Sequence, residues 1–205
     1  MVAPRLFFFA GTSKWKCKCD KIALSPMPQH LIVGIDPGIS GGLGVVSVGS
    51  EAPQLFPTPT TLVKRGKKTK HEYNVALMQL RLRSLMLKGV KMVVIERGGT
   101  RPGQHAMAVY NTGYGCGLWH GLLAGLAMPH CWVQPVAWKR YHGLLKCDKR
   151  ASRLKVQELW PLLAPVGPAL EGAAEGLLMA EYLRCKESKE DNENGNDNGE
   201  WDVGV

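Results

Sequence analysis

The chain has 205 residues, enough for one domain with a buried core and short tails. Hydrophobic residues make up 45% and charged residues 21%, a composition that excludes a wholly disordered protein. Lys and Arg total 26 against 17 Asp and Glu, a net charge of +9, and residues 186–205 hold seven of the acids. The rest of the chain is therefore strongly basic, which predicts a polyanionic partner such as nucleic acid or an anionic membrane surface.

The cysteines and the apolar runs indicate the redox compartment and argue against a membrane protein. Six cysteines are scattered, and only Cys17 and Cys19 lie close together, without the spacing of a zinc finger. This pattern favours free thiols in a reducing compartment. No charged residue occurs over 102–138, but the purely apolar part spans only 121–128, much shorter than the roughly 20 residues of a membrane-spanning helix. We therefore interpret this region as buried core and expect no membrane partner.

Both ends of the chain are interpreted as extensions of a domain over residues 31–185. Residues 1–30 form a basic leader that is poor in acids. This composition is loosely similar to an organelle transit peptide, and the alternative is an arbitrary disordered leader. Residues 186–205 are predicted to be an acidic, disordered tail because they are polar and of low complexity.

The predicted elements begin with a hairpin. Residues 31–36 and 43–48 are rich in β-forming side chains and are joined by a glycine-rich turn. Residues 53–59 are rich in proline and predict a loop or a sheet edge, after which Leu62 and Val63 are expected to open a short third strand. The remaining predicted elements are a helix over 73–87, a strand over 90–96, a helix over 104–126, a strand over 131–136, a short helix with a loop over 137–145, and helices over 149–159 and 170–184.

Antiparallel strands followed by alternating helices and strands predict an α/β fold with a mixed five-stranded sheet flanked by helices. The superfold with this order of elements is the RNase H-like fold.

Two of the predicted buried strands end in a carboxylate, at Asp36 and Glu96. Adjacent strands would bring these carboxylates together, where each raises the pKa of the other unless a cation lies between them. Mg²⁺ is the natural cation because it prefers oxygen ligands. The last helix adds Glu171 and Glu175, whose spacing places them on one helix face. Four converging carboxylates predict a two-metal site for phosphodiester hydrolysis.

Three of these acids also have a structural interpretation. Asp36 is a suitable residue to cap a turn, and Glu96 is compatible with a solvated strand end. Glu171 near a helix N-terminus would favour the helix dipole.

Several blocks of sequence resemble a known family. Ile-Val-Gly-Ile-Asp36-Pro-Gly-Ile-Ser-Gly-Gly resembles the opening strand and hairpin of RuvC-type Holliday junction resolvases, and Val-Val-Ile-Glu96 resembles their second acidic strand. Glu171-Gly-Ala-Ala-Glu175 resembles their final acidic helix, although the better-known bacterial members usually place the two acids three residues apart. The plant and algal plastid branch, the monokaryotic-chloroplast resolvases, is similar in Gly-Tyr-Gly-Cys-Gly-Leu-Trp119, Gln-Pro-Val-Ala-Trp138-Lys139-Arg and Asp148-Lys149-Arg-Ala-Ser.

The resemblance implies a structure-selective endonuclease that cuts four-way DNA junctions symmetrically as a homodimer. It implies two Mg²⁺ ions per site, with Mn²⁺ able to substitute, no nucleotide cofactor, and a location in the chloroplast nucleoid. Under this resemblance the metal ligands are Asp36, Glu96, Glu171 and Glu175, and the catalytic set also contains Lys139 and Lys149, which match family lysines near the scissile phosphate.

Basic residues near these blocks are assigned to DNA contacts. The residues are Lys64, Arg65, Lys67, Lys68, Arg101, Lys139, Arg140, Lys149 and Arg150. For the cluster over 64–70, the alternative is a solvated basic loop.

Glycines and tyrosines of the helix predicted over 104–126 also have two interpretations. Gly113, Gly117 and Gly121 form one bare helix face, which is either a dimer interface or packed on the sheet of the same chain. For Tyr110 and Tyr114, core packing is favoured over stacking on bases.

Other functions remain open at this point. One alternative is another RNase H-like nuclease that acts on branched or hybrid nucleic acid, because the fold does not decide the substrate. A non-catalytic junction-binding DNA protein is a second, although the four acids argue against it. A sugar-kinase or actin-like ATPase would need a second domain, for which the chain has no room.

Overall fold

The computed structural model describes residues 30–49, 52–99 and 103–192. The strands are β1 (Leu31–Asp36), β2 (Gly42–Ser47), β3 (Gln54–Pro57), β4 (Thr60–Arg65), β5 (Lys68–Tyr73), β6 (Val90–Glu96) and β7 (His130–Val133). The helices are α1 (Val75–Leu87), α2 (Ala106–Gly125), α3 (Pro135–Tyr141), α4 (Lys149–Leu159) and α5 (Glu171–Asn192), with a short 3₁₀ helix over Pro168–Leu170.

Five strands form one sheet in the order β3-β2-β1-β6-β7, and β4 pairs with β5 in a separate hairpin. The β1–β2 and β2–β3 pairs are antiparallel, whereas β1–β6 and β6–β7 are parallel. The predicted mixed five-stranded sheet flanked by helices is therefore confirmed.

The central strand β1 separates two hydrophobic cores. On one face Ile32 packs in a cluster with Trp138 of α3 and Leu177 of α5. On the other face Val33 packs in a cluster with Leu82 of α1 and Trp119 of α2. Side chains of a strand point alternately to its two faces, so the almost continuous apolar run of β1 is buried on both sides.

Glycines allow α5 to lie unusually close to the sheet. A Cβ atom at Gly34 would overlap the backbone of Gly176, and one at Gly44 would overlap the backbone of Leu177. At the start of the helix, Gly172 forms an isolated parallel bridge with Gly41. The first turns of α5 are thereby held against the edge of the sheet at which β1 ends.

The strands after β2 differ in part from their prediction. The stretch over 53–59, expected to be a loop or a sheet edge, contains the edge strand Gln54–Pro57; β3 pairs with β2 on one side only, and such an edge tolerates proline. Leu62 and Val63 lie in a strand as expected, but it is β4 of the separate hairpin and not the third strand of the sheet. The basic cluster over 64–70 lies in the same β4–β5 hairpin. The turn of this hairpin contains Gly66 with a φ of 64°, which glycine adopts without strain.

The last helix is also longer than predicted, since α5 continues to Asn192 rather than ending at Arg184. Its polar extension contacts the sheet through the ion pair of Glu187 with Lys91 on β6. The leader through residue 29, with Cys17 and Cys19, and the tail from residue 193 lie outside the described residues. No helix in the described ranges is long and apolar enough to span a membrane.

Candidate active site

The two acids at strand ends meet because their strands are parallel neighbours. Ile35 of β1 is in register with Ile95 of β6, so Asp36 and Glu96 follow at the same edge of the sheet. Both line a pocket of about 430 Å³, to which α3 contributes Lys139. This pocket lies where parallel strands present their carboxyl ends, the usual place for a ligand in α/β sheets.

The turn that carries Asp36 is held by contacts from three directions. The carboxylate oxygen Oδ1 accepts a hydrogen bond from the backbone N–H of Gly38 at 3.1 Å. The hydroxyl of Thr58 donates to the carbonyl of Gly38 at 3.0 Å, and that of Tyr73 donates to the carbonyl of Pro37 at 3.0 Å. Gly115 on α2 is required beneath this turn, because a Cβ there would overlap both the Pro37 carbonyl and the Tyr73 hydroxyl.

The carboxylate of Glu96 is largely buried, and its negative charge is only partly compensated. Its Oε2 atom has no hydrogen-bond partner. Burial, followed by the negative charges of Asp36 and Glu175, raises the pKa of Glu96 to about 7, although the positive charge of Lys139 acts in the opposite direction. A carboxylate in these surroundings is stabilised either by a proton or by a cation.

The acids of α5 are neutralised by neighbouring side chains. Oε1 of Glu175 accepts a hydrogen bond from Ser152 at 3.3 Å and lies 3.7 Å from Nζ of Lys139. Oε2 of Glu171 lies 3.5 Å from Nε of Arg153. The structure therefore brings Glu175 into one electrostatic group with Asp36 and Glu96, whereas Glu171 contacts Arg153 at the same end of the sheet.

The donor set fits a hard divalent cation. Asp36, Glu96 and Glu175 supply carboxylate oxygens, and Oε2 of Glu96 lacks a partner. In the conformation described, no group of three or more His, Cys, Asp or Glu residues is already arranged as a metal site within the described ranges. Oε1 of Glu175 already contacts Lys139 and Ser152, so ligation through this oxygen would replace these partners by the ion.

The predicted DNA-contact residues are distributed over two regions. Lys64, Arg65, Lys67 and Lys68 are exposed on the β4–β5 hairpin, where Arg65 forms an ion pair with Glu72. Lys139 lines the pocket, and Arg140 and Arg150 are exposed on α3 and α4. Lys149 begins α4, directly after the N-cap Asp148, as predicted. Arg101 lies outside the described residues.

Sequence reasoning missed the side chains that hold the acids. Tyr73, Thr58 and Ser152 contact the site from separate parts of the chain. Tyr73 is far in sequence from Pro37, and no local pattern relates the two residues. Ser152 could have been identified from the sequence, because it belongs to the Asp148-Lys149-Arg-Ala-Ser block that resembles the plastid resolvases.

The face of α2 that carries Gly113, Gly117 and Gly121 is open in the structure. A Cβ atom at Gly113, Gly117 or Gly121 would meet nothing within 4 Å, so these glycines do not pack on the sheet of the same chain. Tyr110 is 63% exposed and Tyr114 is 47% exposed, and the preference for core packing was wrong for both. Because α2 has apolar residues on all sides, its sequence did not show which side faces the core.

Comparison with known proteins supports the fold. No protein-family model and no curated protein matches the chain. Among solved structures, Thermus thermophilus RuvC is similar with a TM-score of 0.49 and 19% identity, over 77% of this chain and 96% of that chain. T. thermophilus RuvC in complex with a Holliday junction substrate is similar with a TM-score of 0.51 and 16% identity, over 78% of this chain and 96% of that chain. The protein therefore has the RNase H-like fold.

Proposed function

We propose that the protein is a metal-dependent endodeoxyribonuclease that resolves four-way DNA junctions. The observation that carries this proposal is the buried carboxylate of Glu96, which lacks a partner at Oε2 and lies in one pocket with Asp36 and Lys139. The basic surface suits a polyanionic substrate, and the acidic pocket suits the cations that help to cut it. A four-way junction is proposed as the substrate because several sequence blocks resemble RuvC-type resolvases.

In this proposal Asp36, Glu96 and Glu175, together with Glu171, hold two Mg²⁺ ions, for which Mn²⁺ substitutes. Such ions, when bound, supply the positive charge that activates water and stabilises the leaving 3′ oxygen. The protein positions the ligands: the turn of Asp36 is fixed by Thr58 and Tyr73. Lys139, released from Glu175, neutralises the scissile phosphate, and Lys149 is assigned to the same task.

The remaining basic residues bind the arms of the junction. Lys64, Arg65, Lys67 and Lys68 project from the β4–β5 hairpin, whereas Arg140 and Arg150 lie on the side of α3 and α4. We also assign Arg101 to DNA contacts. Each phosphate that these residues neutralise releases counterions, so binding should weaken steeply with salt.

A homodimer would supply the two active sites that symmetric cutting requires. The open glycine face of α2 supports this assignment, because Gly113, Gly117 and Gly121 leave space for a second helix at close range. We also place the protein in the plastid branch and in the chloroplast nucleoid, on the basis of the sequence blocks that end in Trp119, Lys139-Arg and Lys149-Arg-Ala-Ser.

The dimer is tested with Gly117→Leu. Because the added side chain has open space within the subunit, the variant should keep its thermal stability but shift towards monomer in light scattering. On a supercoiled plasmid with a cruciform, nicked circles should then accumulate before linear product. Gly115→Ala is the control for internal packing, since it should lower thermal stability by crowding Pro37 and Tyr73. If the Gly117→Leu variant stays dimeric, the dimer interface does not lie on this face of α2.

The activity is tested by incubating the protein with a synthetic four-way junction, a fork and a linear duplex, in Mg²⁺ or in EDTA. We expect paired, symmetric nicks in the junction in Mg²⁺ alone. Preferential cutting of the fork or of an RNA–DNA hybrid would instead identify an RNase H-like nuclease with another substrate. Junction binding without cutting in either Mg²⁺ or Mn²⁺ would identify a non-catalytic binding protein.

A further inference from the structure

The indole of Trp138 lies beside Glu96, at the end of the core cluster between the sheet and α5. Val94 and Glu96 are two residues apart on β6, so their side chains point to the same face of the sheet. Val94 packs in one cluster with Trp138 of α3 and Leu177 of α5. The same cluster contains Val133, which is the partner of Glu96 on β7. The side chain of Trp138 is fully buried there.

Two buried polar atoms in this region lack a hydrogen-bond partner among the described residues. They are Oε2 of Glu96 and Nε1 of Trp138. The indole N–H can only donate and a charged carboxylate can only accept, so the two groups are chemically matched. Because a buried donor or acceptor without a partner is destabilising, one hydrogen bond between them would satisfy both.

The indole already acts on the charge of Glu96. Burial, followed by the charges of Asp36 and Glu175, raises the pKa of Glu96, whereas Lys139 and the indole N–H of Trp138 act in the opposite direction. A donor that lowers the pKa of a carboxyl group favours its charged form, which is the form that binds a cation. The two groups are therefore close enough to interact, although they are not aligned as a regular hydrogen bond in the conformation described.

Trp138 also contacts the lysine of the catalytic pocket. Nζ of Lys139 lies 5.0 Å from the centroid of the indole ring, within the range of a cation–π contact. The same Nζ atom lies 3.7 Å from Oε1 of Glu175. Glu96 and Lys139 both line the pocket, whereas the buried indole supports them from behind.

We propose that Trp138 is a positioning residue for Glu96, whose charged carboxylate accepts a hydrogen bond from the indole N–H and is thereby oriented towards the pocket. Groups that hydrogen-bond to a metal-binding side chain fix its orientation, and their loss typically costs roughly 10- to 100-fold in metal affinity or activity. This inference rests on the proposed function and names a residue that serves its metal site.

The first measurement is the indole N–H resonance of Trp138 in the whole chain, labelled with nitrogen-15 and recorded in EDTA and in Mg²⁺. The resonance is assigned through the backbone of Trp138. A hydrogen bond to a charged acceptor is short and strong, so Mg²⁺ should move this resonance downfield. The shift should disappear in Glu96→Gln, which lacks the charge. Trp119 is equally buried and also lacks a partner at Nε1, but it lies in the other core cluster and should not shift.

The second measurement compares Trp138→Phe with Trp119→Phe. Each substitution removes an indole N–H and the same volume from a fully buried position, so both variants should lose thermal stability. Only Trp138→Phe should raise the Mg²⁺ concentration for half-maximal cleavage, by roughly 10- to 100-fold. Junction affinity in EDTA should be unchanged in both variants, because it comes mostly from phosphate contacts at the surface.

Mg²⁺-dependent cleavage by the wild type with an unmoved Trp138 resonance would overturn this inference and leave the proposed function intact. An equal rise in the Mg²⁺ requirement of both variants would also overturn it, because the effect would then come from core packing. If Trp138→Phe does not fold, the resonances of the wild type and of Glu96→Gln decide the question. A wild-type protein without Mg²⁺-dependent cleavage would instead reject the proposed function itself.

Discussion

The acids at the strand ends and the acids on α5 are held in different electrostatic states. Glu96, beside Asp36, is buried, lacks a partner at Oε2 and has its pKa raised to about 7 by burial and by like charges. Glu175 and Glu171 have cations close by, Lys139 and Arg153 respectively. Glu96 thus has one buried oxygen without a hydrogen-bond partner, whereas Glu175 and Glu171 each already have a cation beside them.

The largest effect is expected from Asp36→Asn. The substitution keeps the size of the side chain and the acceptor for the Gly38 N–H, but it removes the charge. Junction cleavage should be lost, while binding in a gel-shift titration should be retained because affinity comes mostly from phosphate contacts. Glu158→Gln, which changes an exposed acid paired with Lys155, is the matched control and should cut normally. Near-normal cutting by Asp36→Asn would exclude the assigned metal site.

The two helix acids can be ranked by comparing Glu175→Gln with Glu171→Gln. Glu175 is coupled to Glu96, whereas Glu171 contacts Arg153, so we expect the larger loss of cleavage rate in Glu175→Gln. Single-turnover rates over a range of Mg²⁺ concentrations measure this difference. Equal losses in both variants would show that Glu171 also joins the ligand set when the ions bind.

The burial of Glu96 predicts a dependence of stability on pH. Its pKa rises on folding from the model-peptide value of 4.5 to about 7, so the contribution of the protonated group is fully present below about pH 4.5 and is lost as pH rises through about 7. In EDTA, Glu96→Gln should therefore gain stability relative to wild type between pH 5 and pH 8, by at most about 3 kcal/mol.

Urea unfolding of both proteins at a series of pH values measures this gain. Mg²⁺ added at pH 8 should stabilise the wild type more than Glu96→Gln. A constant difference between the two proteins across the series would contradict the raised pKa of Glu96.

A smaller effect is expected from Tyr73→Phe, which removes only the hydrogen bond to Pro37. The lost bond should reduce stability by about 1 kcal/mol. Because the turn positions Asp36, the Mg²⁺ concentration for half-maximal cleavage should rise several-fold while junction affinity stays the same. Tyr114→Phe removes a hydroxyl from the neighbouring ring and should change neither quantity. An unchanged Mg²⁺ dependence in Tyr73→Phe would assign Tyr73 a purely structural role.

Local sequence patterns predicted many of the strands and helices. The strand signals of 31–36 and 90–96 were strong because both runs are apolar and end in an acid, and the structure confirms both strands. The cap of α4 by Asp148 and the position of α2 were also predicted, because capping and helical spacing are local properties. The third strand was misplaced because an edge strand is decided by its partner, here β2, and not by its own composition.

The amino-acid sequence by itself determined that carboxylates end two buried strands and that two more lie on one face of a helix. Only the tertiary structure decided how they combine. Gly34 and Gly44 let α5 approach the sheet, which brings Glu175 into the field of Glu96 while Glu171 meets Arg153. The exposure of Tyr110 was decided in the same way, because an apolar helix face is buried only where another element covers it, and within the described subunit Tyr110 remains 63% exposed.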